Sequence, residues 1–211
     1  KSLLERGDAA SVEDLRALMV EQLGQLQQWL VGSETDPLDS FYDGGKRLDE
    51  NTARNRIVDR LQASMQALRL SINIERYMAG GNRCDITASA VIDGANRLLV
   101  TEVKGQWNAE LYTAASAQLD QRYAIHPDAA KQGVYLVLWY GNAEKVANAL
   151  DTTVTSAAEL RARILEKMSD ELKARVDVVV LDLSRLPAEP KPAKKAARKT
   201  ATLCKTLPPQ K

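Results

Sequence analysis

The run Gly133-Val134-Tyr135-Leu136-Val137-Leu138-Trp139-Tyr140-Gly141 constrains the fold more than any other stretch of the chain. An unbroken apolar segment bounded by glycines has no polar face to offer water, so it reads as a central strand covered on both sides. A strand of that kind requires helices above and below it, and the flanking sequence offers them. Between Ser11 and Val31, Leu15, Leu18, Met19, Leu23, Leu26 and Leu30 recur at helical spacing, with Glu and Gln on the opposite side. This helix packs against the domain or serves a regulatory partner. Asp49 is placed to cap a second helix that runs to about Leu70, whose stripe Glu50, Arg54, Ile57, Leu61, Met65 and Leu68 faces the sheet. Ala109 to Ala124 reads as a third helix with an Ala-rich face, on which Leu111, Ala114, Gln118 and Ile125 share a side. A short helix over 143–150 and a longer one from the capping box Ser156-Ala157-Ala158-Glu159 to about Arg175 complete the set.

Three strands lie between the second and third helices. Ser71 to Tyr77 alternates, and a Gly-rich turn at 79–82 leads into the strand that carries Cys84-Asp85-Ile86-Thr87. Asp93-Gly94-Ala95-Asn96, rich in residues that tolerate positive φ, turns that strand into Leu98-Leu99-Val100-Thr101-Glu102-Val103-Lys104. Because side chains alternate along a strand, Glu102 and Lys104 share one face and Val103 takes the other. The hairpin brings Asp85 back towards Glu102. Two carboxylates converging from neighbouring strands make a hard oxygen site suited to Mg²⁺ or Mn²⁺. A lysine beside that ion, its pKa lowered by the neighbouring cation and by burial, orients or deprotonates a bound water. Together these groups suit phosphodiester hydrolysis.

Asp85 followed by Glu102-Val103-Lys104 resembles the catalytic motif of the PD-(D/E)xK nuclease superfamily, although Cys84 stands where that motif has proline. The order helix, three strands, helix, strand over residues 49–141 resembles the αβββαβ core of its restriction-endonuclease-like fold, a three-layer α/β architecture with a mixed central sheet. The resemblance implies that Asp85, Glu102 and the Val103 carbonyl hold Mg²⁺ or Mn²⁺, that Lys104 prepares the water, and that a nucleic acid, DNA before RNA, is cut to a 5′-phosphate and a 3′-hydroxyl. In that family the helix before the sheet often adds an acid. Glu50 is the position that could do so here, and a favourable interaction with the helix dipole accounts for it equally well. A Gln on the following helix reaches the active site in several branches, which assigns Gln118 an assisting catalytic role; Tyr123 sits one position later than the commoner spacing. The region from Ala109 to Tyr140, with its Gln118-Leu119-Asp120-Gln121-Arg122-Tyr123 and Gly133 to Tyr140 stretches, is similar to nuclease domains at the ends of large bacterial defence proteins.

Charge and composition set the surroundings. Residues 187–211 hold seven Lys or Arg against Glu189, a balance of +6, which leaves −5 on the remainder of a chain with a formal charge of +1. An acidic body argues against a broad nucleic-acid surface and for local or ion-assisted contacts. The Pro-, Ala- and Lys-rich tail is expected to be disordered, serving either as a salt-sensitive tether to nucleic acid or as a solubilising terminus. Arg76 and Arg83 suit phosphate contact or plain solubility. His126, the single histidine, falls in a loop and is read as a bystander. Cys84 and Cys204 are too few and too far apart for a zinc cluster or a disulfide framework. No apolar run approaches the roughly 20 residues of a membrane span, so a cytoplasmic location without a membrane partner is expected. A start at Lys1 suggests a piece of a longer protein. The expected organisation is an N-terminal amphipathic helix and loop over 1–48, a nuclease-like domain over 49–186, and the basic tail over 187–211. Double-strand cleavage by a domain with one site calls for two copies, hence a homodimer or a larger assembly. The competing expectation is a restriction-endonuclease-like module without catalysis that binds nucleic acid or protein.

Overall fold

The computed structural model describes residues 9–77, 83–123, 126–148 and 154–185, and for residues 120–123 the backbone alone. The turn at 79–82, the Tyr123 side chain and the tail at 187–211 lie outside the described residues. Helix α1 spans Val12–Gly32 and starts at Ser11, whose hydroxyl accepts from Asp14 N. A small ribbon of β1 (Tyr42–Asp43) and β2 (Lys46–Arg47) precedes α2 (Glu50–Ala67), which the Asp49 carboxylate caps through Thr52 N. Five strands then form one mixed sheet in the order β3-β4-β5-β6-β7, with β3 Ser71–Tyr77, β4 Arg83–Ile92, β5 Ala95–Gly105, β6 Gly133–Trp139 and β7 Val176–Asp182. The β3-β4-β5 meander is antiparallel, whereas β5, β6 and β7 run parallel.

The apolar run is indeed buried on both sides. Val134, Leu136 and Leu138 of β6 join α1, α2 and Phe41 in one core, while Tyr135, Val137 and Trp139 face the other. That second core is closed by Leu111, Ala115 and Leu119, by α3 (Ala157–Lys167) and by α4 (Asp170–Arg175). Three layers result, because a strand without a polar face can satisfy itself only between two apolar surfaces. Helix α1 supplies Leu15, Leu18, Met19, Leu23, Leu26 and Leu30 to the same core as α2 and the sheet. It is therefore a packing element of the sheet-bearing body.

Three expected helices differ from what forms, each because a side chain takes over backbone groups. Residues 109–113 make turns and a π-helix follows at Ala115–Tyr123, in place of an α-helix from 109. Asn108 Oδ1 accepts from Glu110 N, and Tyr135 Oη donates to the Leu111 carbonyl, so the first turn is claimed before a helix can start. Over 143–148 there are turns, since the buried Gln106 amide donates to the carbonyls of Gly141 and Glu144 and its backbone carbonyl accepts from Ala147 N. The helix expected over 156–175 is two helices, because the Ser169 hydroxyl caps Leu172 N and restarts the chain after a buried Met168.

Candidate active site

The site lies where β4 and β5 separate. Their ladder runs from Ile92↔Ala95 at the turn to Ile86↔Thr101, while β4 stays paired with β3 as far as Tyr77↔Arg83. Beyond Thr101 the β5 amides on that side lose their strand partner and meet carboxylates. Val103 N donates to Asp85 Oδ2 at 2.8 Å, and Gly105 N donates to Glu50 Oε2 at 2.7 Å. Intervening residues turn the other way, as the Gln106 N donation to the Leu138 carbonyl at 3.1 Å shows. Two acids thus stand in for a missing length of strand, meeting the rule that buried amides need acceptors. In a strand the N–H and C=O of one residue point to the same side, so Val103 turns its carbonyl to this edge as well.

Glu102 and Lys104 share a face, and Val103 packs in the opposite core. Lys104 Nζ is 2.5 Å from Glu102 Oε1 and 3.9 Å from Glu50 Oε1. Both members of the close pair are buried, Glu102 at 2 % and Lys104 at 7 % exposure. Glu102 Oε2 has no hydrogen-bond partner. Burial pushes the Glu102 carboxyl up to about 7, with the Asp85 charge adding to the rise and Lys104 opposing it. For Lys104 burial works downwards, yet the carboxylates of Glu102, Glu50 and Asp85 outweigh it and hold the amine above its ordinary value. The lowering expected from the sequence relied on a bound cation; the three acids by themselves hold this amine as an ammonium at neutral pH.

The structure brings Asp85, Glu50, Glu102, Val103 and Lys104 together, and places Gln118 differently. The Gln118 amide donates to Glu110 on the turn after β5. Cys84 is buried and donates weakly to the Arg76 carbonyl; burial pushes its thiol up to about 11, so it packs as an apolar group and not as a nucleophile. Arg83 binds Glu75, and His126 Nδ1 caps the turn after it by accepting from Asp128 N. Among the described residues no three acids meet as a ready-made cation cage; the Glu50, Asp85 and Glu102 carboxylates are instead spread among Lys104, the Val103 and Gly105 amides and Arg54.

Sequence reasoning missed three contributors. Arg54, 3 % exposed, holds Asp85 Oδ1 at 3.2 Å and Glu75 Oε1 at 2.9 Å. Asn108 Nδ2 donates to Glu50 Oε2 at 3.1 Å and so ties the segment after β5 to the same acid. Gln106 accepts from Tyr140 N at 2.6 Å and clamps the loop after β6. One signal was available in the sequence: an arginine on an otherwise apolar helix stripe needs an acid opposite it.

The family profile described as Domain of unknown function (DUF8371) matches residues 16–142. The chain belongs to that family. The matched segment holds Glu50, Arg54, Asp85, Glu102, Lys104 and Asn108, together with most of α1, all of α2 and the strands through β6. No curated protein and no solved structure matched the chain. None of the described helices is long and apolar enough to cross a membrane.

Proposed function

We propose that this chain is a metal-dependent nuclease that hydrolyses phosphodiester bonds, in DNA before RNA. The observation that carries the reading is the convergence of Asp85, Glu102 and Lys104 at the open end of the β4–β5 hairpin, with one buried carboxylate oxygen left unpartnered. The order of α2, the antiparallel β3-β4-β5 meander, the π-helix and the parallel β6 supports a restriction-endonuclease-like core, with the acids on its second and third strands. A place in bacterial defence rests on the resemblance of the 109–140 region alone, and cytoplasmic action and self-association follow from the same reading.

The donor set fits a hard divalent ion. A buried carboxylate oxygen without a partner is costly to leave unsatisfied, and Glu102 Oε2 is such an atom. Asp85, Glu102, the Val103 carbonyl and Glu50 would hold Mg²⁺ or Mn²⁺, and such an ion supplies Lewis-acid polarisation and a nucleophilic water at neutral pH. The protein's own groups do the rest. Burial holds part of the Glu102 population protonated at neutral pH, so its carboxylate charge grows as pH rises through about 7. Lys104 as an ammonium orients Glu102 and offers protons towards a phosphate oxygen; it becomes a base only when the Glu102 charge is taken up elsewhere. Gly105 N and Asn108 fix Glu50 against the strand end.

Incubation with linear, circular and single-stranded DNA and with RNA, in Mg²⁺, Mn²⁺ or EDTA, tests this. Cleavage that needs the ion and is lost in Lys104→Ala is expected; cleavage that survives the substitution removes the reading. A second reading, a catalytically inactive module that binds nucleic acid or protein, draws on the engagement of both Asp85 oxygens by Arg54 and Val103 N. It predicts binding without cleavage under every condition above.

A further inference from the structure

Asp85 does not face the fork alone. On β3 the residue opposite it is Glu75, since the pairs Ile74↔Ile86 and Arg76↔Cys84 flank that position. Glu75 has φ +53°, a left-handed conformation that a non-glycine residue adopts only where its surroundings compel it. On β4 the alternation breaks at the same level: Cys84 packs in the core opposite to the one that takes Ile86 and Ala88. These two distortions face each other and have one effect, which is to turn Glu75 and Asp85 onto the same guanidinium. Arg54 Nη1 donates to Asp85 Oδ1 and Nη2 to Glu75 Oε1, while Asn55 Oδ1 receives Nε and Nη2 at 3.2 and 3.1 Å. Arg54 lies on a helix stripe otherwise made of Ala53, Ile57, Leu61 and Met65. Packing alone would be served at least as well by another apolar side chain, because a buried ion pair seldom outdoes a hydrophobic replacement of similar volume.

We infer that Arg54 is a positioning residue that acts through Asp85, as the resident counter-cation whose charge sets how tightly the fork takes a divalent ion. The inference rests on the metal-dependent reading above. Each carboxylate oxygen has two acceptor directions, so Asp85 keeps lone pairs for an ion while Arg54 and Val103 N fix its orientation. The ion then sits close to a buried positive charge, and Coulomb repulsion in that setting is substantial. Glu75 moderates the effect by neutralising part of the guanidinium, and Arg83 Nη1, 3.1 Å from Glu75 Oε2, offsets Glu75 in turn.

Mn²⁺ titration of the whole chain without nucleic acid, following the free-ion electron paramagnetic resonance signal, tests the inference apart from activity. Arg54→Gln keeps a donor but removes the charge, and should bind Mn²⁺ more tightly than the wild type, on the order of tenfold. Glu75→Gln should bind several-fold more weakly, and that effect should vanish in the double variant, since Glu75 acts through Arg54. A purely structural Arg54 would weaken binding when removed. Unchanged or weaker binding by Arg54→Gln, or a Glu75→Gln effect of equal size in both backgrounds, overturns the inference. Should Arg54→Gln fail to fold, the half-exposed Glu75→Gln decides alone, and unchanged affinity overturns it. Wild-type protein with no Mn²⁺ binding that depends on Glu102 removes the metal reading itself, and a wild type that binds while the variants fail to split in sign removes only the role of Arg54.

Discussion

The two ends of the β4–β5 hairpin are made of the same pair of strands and behave as opposites. At the closed end Asp93 and Gly94 both take positive φ, 50° and 74°, which gives the two-residue turn whose twist matches the strands, and backbone pairs with backbone from Ile92↔Ala95 onwards. At the open end the pairing stops at Ile86↔Thr101, and Asp85 and Glu50 accept the amides that β4 would have taken. The closed end settles its backbone groups within the hairpin. The open end settles the same groups with charged side chains and leaves Glu102 Oε2 unpartnered beside a buried ammonium. A sheet can thus concentrate carboxylates by withholding strand pairing, and what is lost in ladder bonds reappears as bonds to charged side chains.

Substitutions that sharpen this contrast should separate activity from stability. The largest effect is expected for Lys104→Ala, which should lower ion-dependent cleavage by about a thousandfold or more, the scale at which one charged catalytic group contributes. Kinetics on DNA at saturating Mg²⁺, with folding checked by circular dichroism, measures it. Next comes Gly105→Ala at the open end. A Cβ there would lie 2.4 Å from the Trp107 ring, and that ring is held by Arg47 above it and by Tyr140 beside it. A loss of up to about 3 kcal/mol in urea unfolding is expected from overpacking, together with weaker cleavage as Gly105 N shifts from Glu50.

The pH dependence of stability should also belong to the open end. Glu102 in the folded chain is raised from 4.5 to about 7, so between those values the native state holds a proton that the unfolded chain has released. Stability is then full below about pH 4.5 and falls as pH rises through 7, by about 2 kcal/mol for a group this buried. Urea midpoints at pH 5 and pH 8 in EDTA should differ in the wild type and converge in Glu102→Gln. The smallest effect is expected at the closed end. Gly94→Ala places a Cβ at φ +74° and should cost about 1 kcal/mol in unfolding without changing cleavage per folded molecule.

The closed end was legible in the sequence because Asp93-Gly94 carries its turn chemistry locally. The caps Asp49 and Ser156 and the doubly covered β6 were legible for the same reason, as was the shared face of Glu102 and Lys104. The leucine stripe of α1 marked it as a helix that packs, and the structure shows where: its leucines complete the core beneath β5 and β6. What could not be read depends on partners far along the chain. Arg54 meets an acid 31 residues away, Gly105 N one 55 residues away, and the Gln106 amide carbonyls 35 and 38 residues on. The joint effect of the acids on the Lys104 amine, Glu102 first and then Glu50 and Asp85, could be summed only once the sheet brings them together.

Cleavage of plasmid DNA by wild-type protein and Glu102→Gln side by side, in Mg²⁺ and in EDTA, tests most directly whether the open end is a hydrolytic centre. Glu102→Gln keeps the shape of a buried side chain and removes the charge that the unpartnered oxygen carries. Nicking by the wild type in Mg²⁺ alone, with none by a folded Glu102→Gln, is the result predicted. Equal cleavage by the two proteins, or none by the wild type with either Mg²⁺ or Mn²⁺ on any DNA or RNA, would contradict it.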